Sequence, residues 1–119
     1  MAEIQMGIVE SKFADIIWDN VPVSTSELVK LAEEAFDWKR TTTHTVIKRL
    51  CEKGIFINEK GIVRSLISKE EFYSLQSRKY VEESFSGSLP AFVAAFTKNR
   101  RLSKEEADEI RRMIEEAMD

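Results

Sequence analysis

Residues 40–67 place the tightest constraint on the fold. From Arg40 to Lys53, the residues Thr43, Val46, Ile47 and Leu50 recur at helical spacing, and Gly54 follows where a left-handed cap ends a helix. Two β-branched runs come next, Gly54 to Asn58 and Ile62 to Ile67, around Glu59-Lys60-Gly61. Such runs about a glycine-containing turn predict a hairpin. A helix this rich in threonine has poor intrinsic propensity. It is held by packing, or kept for what its threonine side chains touch. Its apolar face needs cover, and the flanking sequence supplies candidates.

Upstream, Val9, Phe13, Ile16 and Ile17 predict a first helix, which Trp18 closes and Asn20-Val21-Pro22 stops. Ser24 with Glu27 forms a capping box, and Leu28, Leu31, Ala32 and Ala35 make one apolar face of a second helix. Phe36, Asp37 and Trp38 read as a short connection. Downstream, Ser68 with Glu71 opens a long helix to about Ser86, with Phe72, Leu75, Tyr80, Val81 and Phe85 as candidate buried positions. Ser86-Gly87-Ser88 breaks it, and Leu89 to Lys98 is a short apolar helix. Ser103 with Glu106 opens a last helix to about Met118, with Ala107, Ile110, Met113, Ile114 and Ala117 on one stripe. The expected fold class is mainly α with a small β-hairpin wing. It comprises a winged helix-turn-helix over residues 1–67, followed by C-terminal dimerisation helices over residues 68–119.

In a winged helix the third helix enters the DNA major groove and the hairpin touches the flanking backbone. The charge distribution agrees. Between positions 39 and 64 stand Lys39, Arg40, Lys48, Arg49, Lys53, Lys60 and Arg64, opposed only by Glu52 and Glu59. That segment is +5 in a chain of net charge −3, so the remainder carries −8. The total argues against coating nucleic acid by bulk charge, whereas the segregation fits a docking face. With Val46, Ile47 and Leu50 turned inward, Thr41, His44, Thr45 and Lys48 face outward, and Thr42 lies at the N-terminal edge. Threonine can hydrogen-bond a base or set its methyl against thymine, and His44 can donate to guanine or phosphate. The candidate base contacts are Thr41, Thr42, His44 and Thr45. The candidate phosphate contacts are Lys39, Arg40, Lys48, Arg49, Lys60 and Arg64. A merely solvated polar face would carry the same composition.

Other chemistry finds little footing. The single histidine, the absence of a Gly-rich phosphate loop and the lack of a Ser-His-Asp set predict no enzyme and no cofactor. Cys51 cannot form an internal disulfide, and with His44 it gives two metal ligands without a third, so no metal site is expected. Met1 to Lys12 has no basic-then-apolar signal pattern, and Leu89 to Phe96 is too short for a span, which predicts a cytoplasmic protein with no membrane partner. Phe72, Tyr80, Phe85, Phe92 and Phe96 are more aromatics than a few helices can bury alone, which points to a second subunit. Two alternatives stay open. One is a winged-helix protein-interaction module, and the other is a redox- or metal-responsive regulator acting through Cys51 and His44.

The ordered motifs resemble the penicillinase-repressor (BlaI/MecI/CopY) family of bacterial transcriptional repressors over nearly the whole chain. Glu10 with Ile16-Ile17-Trp18 is similar to its first helix, and Ser26-Glu27-Leu28 to the start of its second. Trp38, Thr42, Thr45, Ile47, Arg49-Leu50 and Lys53-Gly54 resemble its recognition helix. Phe85-Ser86-Gly87 resembles the break between its dimerisation helices, and Leu102-Ser103 with Glu106 and Ile110 its last helix.

The resemblance implies a homodimeric repressor on double-stranded DNA, each winged helix reading half of an operator dyad. Its dimer contacts would fall on Phe72, Leu75, Val81, Phe85, Leu89, Phe92, Phe96, Ile110, Met113 and Ile114. Thr42 and His44 take the base-contacting positions; well-known members carry arginine at the second, and a proline is common where this chain has Arg40. Antibiotic-responsive members are released when a sensor protease cuts before a phenylalanine. The matching bond is Ala95-Phe96, with alanine in place of the usual asparagine. Copper-responsive members end in paired Cys-X-Cys motifs, and this chain has none.

Overall fold

A computed structural model describes residues 6–119. Residues 1–5, part of the stretch considered above for a targeting signal and of the expected 1–67 domain, lie outside the described residues. The chain divides into two compact units, the first ending at Ser77 and the second spanning Arg78–Asp119.

The first unit is built on α1 (Ile8–Asn20), α2 (Thr25–Phe36) and α3 (Arg40–Glu52), with a sheet of β1 (Val23–Ser24), β2 (Phe56–Glu59) and β3 (Ile62–Ser65). All pairings are antiparallel in the order β1-β3-β2, with Val23 opposite Val63 and Asn58 also opposite Val63. The hairpin was expected. The third strand was not, because two residues have no alternation to betray them. Ser24 serves twice: it pairs with Ile62, and its hydroxyl accepts from the Glu27 amide at 3.0 Å to cap α2.

The core gathers Phe13, Ala14 and Ile17 from α1, Leu28 and Ala32 from α2, and Val46, Ile47 and Leu50 from α3. Ile55, Phe56 and Val63 close it from the hairpin. Thr43 is the one buried polar residue among the described core, and its hydroxyl donates to the Lys39 carbonyl at 3.4 Å. Val9 and Ala35, expected on apolar faces, are exposed: the core is reached beside them by Met6 and Phe36 instead. Phe36 and Trp38, expected as a mere connection, pack on each other at 4.8 Å and edge to face on Phe13 at 6.3 and 5.2 Å. This aromatic group supports the start of α3.

The helix α4 (Lys69–Ser84) begins in the first unit, capped by Ser68, whose hydroxyl accepts from the Glu71 amide. Its first turns complete the core. Phe72 is wholly buried, 5.4 Å from the Trp18 ring, and the Trp18 indole donates to the Ile67 carbonyl at 3.1 Å. Tyr73 donates to Asp15 at 3.1 Å, and Lys69 pairs with the same carboxylate at 3.3 Å. That hydrogen bond to Asp15 raises the Lys69 ammonium above its ordinary pKa. One expectation needs correction here. Phe72 belongs to the first unit's core and has no surface to offer a second chain. The break between the two compact units falls inside α4, because these contacts hold the start of the helix on α1.

The second unit contains the rest of α4, then α5 (Leu89–Thr97) and α6 (Lys104–Ala117). Ser86 and Gly87 both have positive φ and end α4. The hydroxyls of Ser88 and Ser103 accept from the Ala91 and Glu106 amides to start the two later helices. Tyr80, Phe85 and Phe92 pack edge to face at 5.5–6.1 Å, and Phe96 follows Phe92 at 6.2 Å. No residue of this unit is fully buried.

Candidate nucleic-acid interface

The outward face of α3 follows from its inward one. Burial of Thr43, Val46, Ile47 and Leu50 leaves Thr41, Thr42, His44, Thr45 and Lys48 exposed. The Thr45 hydroxyl donates to the Thr41 carbonyl at 2.9 Å. With its proton engaged, Thr45 can present only an acceptor and a methyl group to a partner. The helix starts at Lys39 and Arg40, both exposed, with no acidic residue in its first turn. Cations at a helix N-terminus oppose the macrodipole, at a cost of some tenths of a kcal/mol. An anion placed there would meet free amides and two cations together.

The hairpin tip is a two-residue turn with both central residues left-handed, Lys60 at φ 52° and Gly61 at φ 87°. Asn or Asp commonly precedes Gly in such turns, since a lysine with positive φ is strained. The Gly61 amide donates to Asn58 Oδ1 at 2.9 Å, and its carbonyl accepts from the Thr25 amide at 2.9 Å. The turn is thus tied to the start of α2, and Lys60 projects from a fixed loop. Arg64 lies half-exposed, 3.8 Å from Glu59.

Arg49 differs from the other predicted phosphate contacts. Its guanidinium lies 3.5 Å from the Glu10 carboxylate on α1, and Lys53 holds the other oxygen of the same carboxylate. Glu10 is the residue that reading for function from the sequence passed over. It was visible only as a family position, because its partners stand 39 and 43 residues away. Cys51 is partly buried; burial first, then the Glu52 carboxylate, push its thiol above its ordinary pKa, so it stays protonated near neutral pH. Among the described residues, no group of three His, Cys, Asp or Glu side chains is placed to hold a metal ion. None of the described helices is long and apolar enough to cross a membrane.

The predicted dimer residues fall into three groups. Phe72 is in the first core. Leu75, Val81, Phe85 and Phe92 are partly buried. Leu89, Phe96, Ile110, Met113 and Ile114 are exposed. An apolar groove between α5 and α6 is lined by Phe92, Val93, Phe96, Leu102 and Ile110. Ala95 and Phe96 are both exposed on α5, where the Arg100 guanidinium lies 5.1 Å from the Phe96 ring centroid.

Three helices, a three-stranded sheet and a lysine-tipped hairpin define a winged helix-turn-helix protein, with a net positive segment across its third helix and wing. The sequence pattern of the penicillinase repressor family matches residues 6–116, and the chain belongs to that family. The methicillin resistance regulatory protein MecI of Staphylococcus aureus strain Mu50 is 26% identical over 110 residues, covering 88% of this chain and 89% of the relative. MecI of Staphylococcus epidermidis gives the same identity and coverage. The penicillinase repressor of Staphylococcus aureus is 23% identical over 116 residues, covering 94% and 92%. The chain is therefore a member of a family of transcriptional repressors, whose named relatives are regulators.

Proposed function

We propose that the protein is a sequence-specific DNA-binding repressor that acts as a homodimer on a dyad operator. The observation that carries this is the exposed face of α3, where Lys39 and Arg40 load the positive end of a helix that has no acid in its first turn. Those charges weaken the isolated helix and gain their compensation from a phosphate. Behind them Thr41, Thr42, His44 and Thr45 face outward at the N-terminal half of the helix, the part that meets base edges in helix-turn-helix complexes. Lys48 on α3 and Lys60 and Arg64 on the wing supply further phosphate contacts.

Homodimerisation is supported by the second unit. Its α6 leaves Ile110, Met113 and Ile114 exposed on one side, and a unit with no buried residue cannot stabilise itself. A second copy of the same helices is the symmetric solution. Release by a sensor protease at Ala95-Phe96 has weaker support, since a bond inside α5 must unwind before a protease can take it in extended form.

Selection of bound duplexes from a random pool tests the reading. The expected result is a dyad-symmetric consensus with half-sites about 10 bp apart or a multiple of that. A chain that sediments as a monomer and enriches no duplex at low salt would instead favour a protein-interaction module.

A further inference from the structure

The geometry points to Glu10 as a positioning residue that withdraws Arg49 from the DNA face and so restrains non-specific binding. This deepens the repressor reading and rests on it.

Three observations combine. Arg49 stands seven residues along α3 from Thr42, on the same side of the helix, and its side chain is 55% exposed. By position and exposure it could reach a phosphate. The Glu10 carboxylate faces it at 3.5 Å from α1, and the Glu10 side chain is only 10% exposed. A carboxylate so far removed from water depends on its cations, because leaving it unpaired costs far more than breaking a surface ion pair. Lys53, itself only 14% exposed, takes the other oxygen. Glu10, Arg49 and Lys53 together carry a net charge of +1, where the sequence alone offers two cations. A phosphate that draws Arg49 away takes one of the two cations from the Glu10 carboxylate and leaves Lys53 on the other oxygen, so the exchange releases less energy than a contact made by a free arginine.

The consequence is a narrower basic face. Without restraint, Arg49 would add affinity for any duplex and no discrimination, since phosphate contacts carry no sequence information. Held by Glu10, it leaves phosphate binding to the start of α3, Lys48 and the wing.

The salt dependence of binding to a non-specific duplex tests this. Each phosphate contact adds about 0.9 to the slope of log affinity against log salt. Glu10→Gln frees Arg49 and is expected to steepen the slope by about one, with binding several-fold tighter at low salt. Arg49→Gln in the otherwise native chain is expected to leave the slope unchanged, and in the Glu10→Gln background to remove the gain. A merely structural role for Glu10 would alter melting temperature without steepening the slope. A slope that stays the same or flattens in folded Glu10→Gln overturns the inference. So does a loss of about one in Arg49→Gln alone, which keeps the test decisive even where Glu10→Gln fails to fold. Failure of the native chain to retard any duplex at low salt would overturn the repressor reading itself, and this inference with it.

Discussion

The two units differ in what holds them together. The first encloses a core that includes Phe13, Phe56 and Phe72, each at most 1% exposed, and the second has no fully buried residue at all. Both contain serine-capped helices. Ser24, Ser68, Ser88 and Ser103 each accept from an amide three residues on, whereas α1 and α3 start without a side-chain cap. Capping is therefore shared by both units and does not distinguish them; burial does. Local signals are worth about 1 kcal/mol each, and they cannot replace a core in meeting the conformational entropy of folding.

The largest expected effect falls on the first unit. Phe72→Ala should cost about 3–5 kcal/mol of stability in denaturant unfolding, the range for an aromatic removed from a packed core. If stability held and only self-association fell, Phe72 would belong to the second unit's interface after all. Ile114→Glu places a charge on the exposed apolar side of α6. It should shift the sedimenting species from dimer to monomer and reduce operator affinity on the order of 100-fold, as the advantage of two linked sites is lost. The first unit's melting should not move, and a large fall there would break the division between the units. Ser24→Ala should cost about 1 kcal/mol, and the same change at Ser103 should register only in the association equilibrium.

The smallest effect concerns Cys51. Its raised pKa keeps it a thiol, so stability linked to this group is complete below the ordinary thiol range and declines only as pH rises through the elevated value. Alkylation of the folded chain near neutral pH should run slower than that of the denatured chain. Equal rates would reopen the thiol as a sensor.

What was legible in the sequence was local. The cap serines announce themselves through a glutamate three residues on, and Ser88, followed by Ala91, lacks that mark and was missed. The hairpin is legible because Gly61 sits between two β-branched runs, and α3 because its apolar residues keep a helical period. What was not legible depends on the chain returning to itself. The strand β1 is defined by its pairing with β3. Phe72 looks like any aromatic on an amphipathic helix until Trp18 is seen against it. Arg49 reads as another DNA-facing cation because Glu10 is far away along the chain. Val9 and Ala35 show the opposite failure, since they fit the apolar period and are exposed while Met6 and Phe36 beside them pack on the core.

Ser24 is at once the last residue of β1 and the cap of α2, and the Thr25 amide is bonded to the carbonyl at the wing's tip. The wing's tip and the start of α2 are therefore held at a fixed span. On the proposed DNA-binding reading, a duplex docked on the first unit meets that span as given. Stiff or narrow-grooved flanking sequence that no side chain touches should then alter occupancy, and operators of identical half-sites should rank by the bendability of the DNA around them.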